Sequence, residues 1–452
     1  MLTRPESPLS WAKKDSVLFA EASNEANCMT TAEVETAVKR LSYVLRHEFG
    51  IGSSPGKDVV TCLSSNNLLL PTVFLATIGA GGVYSAASSA LTVAELTRQI
   101  QTSGSKLVIT TEDLQETAVE AARSCSIPPE RILILHRMDA QKRALTSVAN
   151  PTRNYLQQGS NELPWERIMD LETLKSRTAA LIFSSGTTGP PKGVKLSHRN
   201  FVGECVIAQA AMRAYLDRTK QRHIDYEHRT IAHLPCAHIS GLQGYILNNI
   251  MYGGTVFWMP KFIFEDFVIA ARQHRPTFLT TVPAIFLRIA KSLTITDEFH
   301  SLKQAQSGAA PIGRELQRLA ETKLTCRIGQ AWGLTETTGA VTALPWDEID
   351  DTGSIGKLLP NTRMKIVGDD DSTPVPDGSA GEILIRGPNV TSGYWNNPEG
   401  TREALTEDGW LRTGDIGLRR NGKFYIVDRK KVSSAKKRTA ADPSFSDCST
   451  LL

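Results

Sequence analysis

The chain has 452 residues, enough for one large α/β body with subdomains or for roughly two or three ordinary domains. Hydrophobic residues make up 41% and charged residues 22%, which predicts a globular protein with a large core. The net charge is +4 and no basic stripe is interleaved with aromatic residues, so we expect no nucleic-acid partner.

Cysteine usage and the apolar runs predict an intracellular, cytoplasmic protein without a membrane span. The seven cysteines are scattered and form no C-x-x-C pair, which argues against a zinc site and a disulfide framework. The N-terminus lacks the apolar segment of a secretory signal. The longest apolar run, residues 68–78, contains Pro71 and is shorter than the ~20 residues of a membrane helix, so we expect a buried helix there. The final residues are not a peroxisomal signal, so a peroxisomal location would require a different C-terminus.

The first clear element is a helix that begins at Thr30, because Thr30 and Glu33 have the spacing of a capping box. Apolar residues at helical spacing then share one face: Val34, Ala37, Val38, Leu41, Val44 and Leu45. Strand-like runs such as residues 106–110 alternate with helical stretches up to about residue 166, and again after residue 178. This alternation predicts parallel sheets with helices on their faces.

The pattern changes after about residue 345. Short strands at residues 364–367 and 382–386 are separated by turn residues, and residues 418–427 predict a hairpin with Asn421-Gly422 as a type I′ turn. We therefore predict a β-rich subdomain over about residues 346–427. Residues 430–452 have almost no large apolar side chains and are predicted to be disordered.

The most specific signal is the sequence SSGTTGPPKG at residues 184–193, which directly follows an apolar strand at residues 179–183. Its hydroxyl groups, glycine N–H groups and Lys192 favour the binding of a polyphosphate. The glycine and Ser/Thr positions of a Walker loop are not matched, which excludes that class. A helix is predicted to begin near Ser197. Its buried side should carry four residues: Phe201, Val202, Cys205 and Val206.

This segment resembles the signature loop of the adenylate-forming superfamily, which includes acyl-CoA synthetases and 4-coumarate–CoA ligases. Further similar segments follow in the family's order: LPCAH at 234–238, SGAAP at 307–311, GQAWGLTET at 329–337, residues 381–394, residues 408–415 and YIVDR at 425–429. The resemblance extends over about residues 30–429. It implies an α/β fold with two helix-flanked sheet subdomains and a smaller β-rich subdomain.

The resemblance also implies the site residues. Those expected to bind the nucleotide are Ser184, Ser185, Gly186, Thr187, Thr188, Gly189, Lys192, Gly308, Ala309, Ala310, Gln330, Ala331, Trp332, Thr335, Asp415 and Arg429. Glu336 is the expected magnesium ligand, because a carboxylate suits a hard cation. Trp332 stands where an aromatic residue stacks on adenine. His238 and Ser240 are expected to border the acyl substrate. Lys192, Thr335, Glu336 and His238 form the expected catalytic set.

Beyond Arg429 the sequence no longer resembles the family, whose members continue into a compact C-terminal α+β domain. We therefore predict that residues 1–427 form the AMP-binding unit, and that residues 428–452 are a hinge remnant and tail. The lysine that the family's C-terminal domain contributes to adenylation has no counterpart in the expected folded sequence. For this reason we expect weak adenylation and little thioester formation.

The predicted enzyme is an ATP-dependent acyl- or aryl-CoA ligase, an acid–thiol ligase of the kind used in secondary metabolism. It would use ATP, magnesium, coenzyme A and a small carboxylic acid. A stand-alone adenylation unit that loads a carrier protein is an alternative, although no carrier domain follows. A non-catalytic nucleotide-binding relative is the other alternative. The acid and the oligomeric state are not readable from the sequence.

Overall fold

A computed structural model describes residues 15–136, 143–157, 161–164, 167–184, 190–218, 226–368 and 373–430. Residues 431–452, most of the tail predicted to be disordered, therefore lie outside the described residues. The described residues form 20 strands in four sheets. The strands are β1 Val17–Glu21, β2 Cys28–Thr30, β3 Val59–Leu63, β4 Val83–Ala87, β5 Ser105–Thr111, β6 Ile132–His136, β7 Ala144–Ser147, β8 Thr178–Ser184, β9 Lys192–Ser197, β10 Arg229–Ala232, β11 Thr255–Trp258, β12 Phe278–Thr281, β13 Gln304–Ser307, β14 Ile328–Leu334, β15 Gly339–Ala343, β16 Lys357–Leu358, β17 Arg363–Val367, β18 Gly381–Arg386, β19 Leu411–Arg420 and β20 Lys423–Arg429.

Helices separate most of the strands before β15, as the alternation in the sequence predicted. The α-helices are Thr31–His47, Leu70–Gly79, Val93–Ser103, Gln115–Ser124, Leu171–Ser176, His198–Arg218, Ile239–Gly241, Asn249–Tyr252, Phe264–His274, Pro283–Lys291, Arg314–Leu324 and Pro398–Ala404, and Leu242–Asn248 is a π-helical stretch. Short 3₁₀ turns cover Glu112–Leu114, Pro129–Arg131 and Thr335–Thr337.

The first helix begins with the predicted capping box. The Thr30 backbone N–H donates to Glu33 Oε2 at 2.8 Å, and the Glu33 N–H donates to Thr30 Oγ1 at 3.3 Å. These bonds satisfy donors that the first helical turn leaves free. The apolar face of this helix packs in the same core as Val73 and Phe74 of helix Leu70–Gly79, so the predicted buried helix is confirmed.

Of the residues described, none belongs to a helix with the length and apolar character needed to span a bilayer.

A seven-stranded sheet has the order β7-β6-β5-β3-β4-β8-β9. Its central strands are parallel, whereas the edge strands β7 and β9 pair antiparallel with their neighbours. A second sheet has the order β10-β11-β1-β2, and a third has the order β12-β13-β14-β15-β16. The predicted parallel sheets are therefore confirmed. The third sheet becomes antiparallel at β15, so that β14 is followed by a tight return of the chain.

The fourth sheet, β17-β18-β19-β20, is antiparallel throughout and contains the two short strands predicted near residues 364 and 382. The β19–β20 turn is the predicted hairpin, because Asn421 and Gly422 have φ values of 50° and 74°. This hairpin places residues 415 and 429 directly opposite each other.

The helix predicted to begin near Ser197 begins at His198, so its start is confirmed, but strand β9 between the phosphate loop and this helix was not predicted. The prediction of its buried face was wrong in part. Phe201 and Cys205 are buried as expected, but Val202 and Val206 are 39% and 45% exposed. Neighbouring residues lie about 100° apart around a helix. A face centred on residues 201, 204 and 205 therefore turns residues 202 and 206 outward.

The free side of β9 pairs with residues 393–395. The Lys195 N–H donates to Gly393 O at 3.0 Å, and the Trp395 N–H donates to Gly193 O at 2.8 Å. An isolated antiparallel bridge joins Val194 to Tyr394. This pairing fixes Tyr394 beside the end of the phosphate loop.

Candidate active site

The ends of the phosphate loop are held by a strand pair. Ser184, the last residue of β8, lies directly opposite Lys192, the first residue of β9. Five residues with predicted roles lie outside the described residues: Ser185, Gly186, Thr187, Thr188 and Gly189. Their roles stay predictions.

Glu336 lies beside the loop. Its Oε1 accepts hydrogen bonds from Ser184 Oγ at 3.2 Å and from Tyr394 Oη at 2.9 Å. Burial and the neighbouring Glu336 carboxylate raise the pKa of the Tyr394 hydroxyl, so it remains a proton donor at neutral pH. Within the described chain Oε2 has no hydrogen-bond partner. The two hydroxyl groups thus hold the carboxylate with one oxygen available to a ligand.

Lys192 lies on the other side of Tyr394. Its Nζ is 5.2 Å from the centroid of the Tyr394 ring, within cation–π range. No carboxylate of the described residues forms an ion pair with this ammonium group. Its positive charge is therefore free to interact with an anion at the loop.

Asp415 forms the opposite end of the same group of residues. It is 1% exposed, and each of its oxygens accepts one bond. Trp332 Nε1 donates to Oδ2 at 3.0 Å, and Arg429 Nε lies 2.7 Å from Oδ1. Burial raises the pKa of Asp415 above its ordinary value, although Arg429 and the Trp332 N–H favour the ionised form.

The segment expected to lie against adenine follows β13, beside β14. Ser307 pairs with Gln330 in the parallel ladder, and a Cβ atom on Gly308 would lie 3.8 Å from Ala331 O. Ala309 has φ 68°, so the loop reverses sharply there, and Ala310 is exposed. Gln330 is buried and its Oε1 accepts a bond from the Ile312 N–H at 3.2 Å. The Gln330 side chain thus fixes this loop.

Thr335 begins the 3₁₀ turn that carries Glu336, and its carbonyl accepts a bond from the Thr338 N–H at 3.0 Å. The turn follows β14 directly, so Glu336 lies a few residues beyond Trp332, which is part of the strand. The backbone thus connects Trp332, which contacts Asp415, with Glu336, which contacts Ser184.

His238 and Ser240 form a separate pair. His238 Nδ1 lies 2.8 Å from Ser240 Oγ, at the start of helix Ile239–Gly241. Desolvation by the surrounding protein lowers the pKa of the His238 imidazole, although the residue is exposed. The hydrogen bonds described for this pair stay within its own turn. The structure therefore does not join it by direct contact to Glu336 or Asp415.

Sequence reasoning missed three residues that shape the site. Asn66 fixes the His238 loop, because its Nδ2 donates to Leu234 O at 2.9 Å and its Oδ1 accepts from the Cys236 N–H at 3.0 Å. Tyr394 was recognised only as the end of a motif. Glu204 gave a weak signal, as an acidic residue at a core-facing helical position.

Glu204 is 2% exposed and lies behind the turn that carries Glu336. Asn389 Nδ2 donates to its Oε2 at 3.0 Å, and Asn389 O accepts from Thr338 Oγ1 at 2.6 Å. Burial raises the pKa of Glu204 to about 8, more than the bond from Asn389 lowers it. The carboxyl group is therefore mainly protonated at neutral pH.

Direct contacts and one short stretch of chain thus connect Lys192, Ser184, Glu336, Trp332 and Asp415. Helix-flanked sheets, and a phosphate loop at a sheet edge joined to this group of residues, define the body of an adenylate-forming enzyme. The family described as "AMP-binding enzyme" matches residues 11–395. The chain belongs to the AMP-binding enzyme family.

Curated relatives agree with this assignment. A putative acyl-coenzyme A synthetase of Emericella nidulans is 47% identical over 427 residues, which cover 94% of this chain and 76% of the relative. The acyl-CoA synthetase ACTT5 of Alternaria alternata is 33% identical, over 92% of this chain and 70% of the relative. The phenylacetyl-CoA ligase epaB of Aspergillus niger is 32% identical, over 92% of this chain and 75% of the relative. The predicted class, an acyl-CoA synthetase-like acid–thiol ligase, is confirmed.

Solved structures share the fold. ATP-bound MatB from Rhodopseudomonas palustris has a TM-score of 0.75 at 24% identity, over 93% of this chain and 76% of that structure. The o-succinylbenzoate coenzyme A synthetase MenE of Bacillus subtilis, in complex with AMP, has a TM-score of 0.73 at 23% identity, over 93% of this chain and 77% of that structure. The predicted adenylate-forming fold is confirmed.

Proposed function

We propose that the protein is an ATP-dependent acyl- or aryl-CoA ligase. In the first step the carboxylate of a small acid attacks the α-phosphorus of ATP, so that an acyl-AMP forms and pyrophosphate leaves. In the second step the thiolate of coenzyme A attacks the acyl carbonyl and AMP leaves. The relatives named as acyl-CoA synthetases and ligases support coenzyme A as the acceptor.

One observation carries this proposal. Ser184 and Lys192 at the phosphate loop are connected through Glu336 and the β14 chain to Trp332 and Asp415. The proposed phosphate-binding end and the proposed sugar-binding end therefore belong to one connected group of residues. A nucleotide suits such a group, because it carries a chain of anions at one end and a diol next to an aromatic base at the other.

The proposed roles follow from the chemistry of each group. Lys192, with Thr187 and Thr188 of the loop, would neutralise the phosphate oxygens. Thr335 would donate to the α-phosphate. Asp415 is an acceptor for the ribose hydroxyls, with Arg429 beside it.

The base would lie against a flat surface. Trp332 offers an aromatic face for stacking, and the small residues Gly308, Ala309 and Ala310 let the backbone approach closely. Gln330 holds this loop in place through Ile312. We also propose that residues 1–427 act as the nucleotide-binding unit, with the β-rich part from about residue 346 and a hinge remnant and tail over residues 428–452.

Glu336 fits the proposed magnesium site. Its Oε1 is occupied by two hydroxyl donors, whereas its Oε2 is available. In the described part of the chain no cluster of three or more His, Cys, Asp or Glu side chains could hold a metal by itself. That agrees with magnesium, which is usually held by one or two carboxylates together with substrate phosphates and water. When bound, the cation would offset the charge that develops on the phosphate oxygens.

The acid would bind near His238 and Ser240. The lowered pKa of His238 keeps the imidazole neutral at physiological pH, so it can accept or donate a hydrogen bond without carrying charge. Beside it, Cys236 is buried and apolar in character. These features suit an acid with an apolar body.

The test is the release of pyrophosphate and the formation of a CoA thioester. Purified protein would be incubated with ATP, magnesium and coenzyme A, and with phenylacetic, cinnamic or medium-chain fatty acids in turn. We expect pyrophosphate release that depends on one class of acid. Tight ATP binding without pyrophosphate release for any acid would instead indicate a non-catalytic nucleotide-binding protein. Transfer to a carrier protein but not to coenzyme A would show a stand-alone adenylation unit.

A further inference from the structure

The carboxylate of Asp415 is held from two directions by donors on different strands. Trp332 Nε1 of β14 donates to Oδ2 at 3.0 Å, and Arg429 Nε of β20 lies 2.7 Å from Oδ1. A carboxylate offers about four acceptor positions, two on each oxygen. Among the described residues, one position on each oxygen is therefore used and one is left.

The bond from Trp332 depends on an indole. Tryptophan has an aromatic face that can stack and also an N–H that donates, whereas phenylalanine has only the face. The Trp332 ring also packs against an apolar cluster that includes Val341 of β15 and Ile383 of β18. Packing and the bond to Asp415 together fix the position of the ring.

We propose that Trp332 is a specificity-determining residue for the ribose of the nucleotide. Its N–H fixes the plane of the Asp415 carboxylate, so that the remaining acceptor position on each oxygen meets one of the two vicinal hydroxyls. The proposal rests on the nucleotide-binding function proposed above and adds how the sugar is chosen. A nucleotide that lacks one hydroxyl leaves an acceptor of the buried carboxylate unpaired, which is unfavourable.

The same bond links two parts of nucleotide recognition. The ring expected to stack on the base also orients the carboxylate expected to bind the sugar. Removal of the N–H alone should therefore weaken recognition of the hydroxyls and leave stacking intact. If Trp332 acted only by stacking or only by supporting the fold, the substitution would not weaken recognition of the hydroxyls selectively.

The experiment is titration calorimetry of the full chain with AMP, 3′-deoxy-AMP and 2′,3′-dideoxy-AMP. Wild type, Trp332→Phe and the control Trp410→Phe would be compared. Trp410 lies in the β-rich part, with Lys365 Nζ 4.9 Å from its ring centroid, and has no role in the site. We expect Trp332→Phe to bind AMP about five- to tenfold more weakly, since the Asp415 carboxylate loses the donor that orients it towards the ribose hydroxyls. Its affinity for the dideoxy nucleotide should match that of wild type.

Two results would overturn the proposal. Equal weakening for all three nucleotides would show that Trp332 acts by stacking or by support of the fold. Unchanged preference for AMP over the deoxy forms would show that its N–H plays no part in sugar recognition. Trp332→Tyr provides a second variant if Trp332→Phe does not fold, and the same loss of discrimination is expected from it. Failure of wild type to bind AMP or ATP would instead refute the proposed function.

Discussion

Tyr394 and Glu336 are joined by a hydrogen bond of 2.9 Å from the phenol hydroxyl to Oε1. The two residues are far apart in sequence and meet because residues 393–395 pair with β9. The same Tyr394 ring faces the Lys192 ammonium group. One side chain therefore positions both a proposed metal ligand and a proposed phosphate ligand.

Tyr394→Phe should weaken magnesium binding. The variant keeps the ring under Lys192 but removes one of the two donors that orient Glu336. Loss of such an outer partner typically costs about tenfold in metal affinity. The measurement is the magnesium concentration needed for half-maximal ATP binding, with Tyr43→Phe on helix Thr31–His47 as the control. The same magnesium requirement in both variants would contradict this role.

Lys192→Met should affect ATP more than AMP. The uncompensated ammonium group lies at the phosphate loop, so its removal should weaken ATP binding about tenfold. AMP lacks the β- and γ-phosphates and should bind almost as before. Calorimetry with both nucleotides would measure the difference, and Lys261→Met, which removes an exposed lysine elsewhere, should change neither affinity. Equal losses for ATP and AMP would place Lys192 away from the outer phosphates.

Glu204→Gln should change how stability depends on pH. The folded-state pKa of Glu204 is about 8, raised from an ordinary value of 4.5. The folded state therefore binds the Glu204 proton more tightly than the unfolded state does. The stability that this proton contributes is present below about pH 4.5 and is lost as pH rises towards about 8. The titratable neighbours Cys205 and Tyr252 have raised pKa values and stay neutral in this range.

The glutamine variant cannot titrate, so its stability should fall less with pH than that of wild type. The difference in slope should be at most about 1.4 kcal/mol per pH unit. Urea unfolding at a series of pH values would measure the free energy of unfolding of both proteins. Parallel curves for wild type and variant would show that Glu204 is already ionised in the folded protein.

Gly333→Ala should disturb the proposed nucleotide site. A Cβ atom at Gly333 would lie 1.9 Å from Gly339 O on β15, so the two strands would have to separate between Trp332 and Thr335. We expect a loss of about 2 kcal/mol of stability, together with weaker AMP binding. Gly422→Ala is the matched control. Gly422 has φ +74° with open space around it, so this change should cost about 1 kcal/mol without altering AMP affinity. Normal AMP affinity in Gly333→Ala would show that the β14–β15 contact does not shape the site.

Local patterns predicted the parts of the fold that short-range chemistry decides. The Thr30 capping box and the Asn421-Gly422 hairpin depend on residues a few positions apart, and both were correctly predicted. The order of the sheets could not be read in this way, because neighbours such as β4 and β8 are separated by more than ninety residues of sequence. The strand after the phosphate loop was missed because its first two residues, Lys192 and Gly193, had been assigned to the loop.

The candidate site was predictable to the extent that its residues lie in recognisable motifs. Trp332, Glu336 and Asp415 were identified by resemblance, and the structure then showed the contact between Trp332 and Asp415. Tyr394, Glu204 and Asn66 were not recognised, because their importance lies in contacts with distant segments. A buried acid on an otherwise apolar helix face was the available signal for Glu204.

The short pairing between β9 and residues 393–395 has a consequence for how the protein behaves at high concentration. β9 ends the seven-stranded sheet, and an uncovered outer strand invites pairing with another molecule. Here the intramolecular bonds from Lys195 and Trp395 occupy backbone groups that would otherwise template such association. Substitutions that detach this segment would thus promote aggregation as well as displace Tyr394.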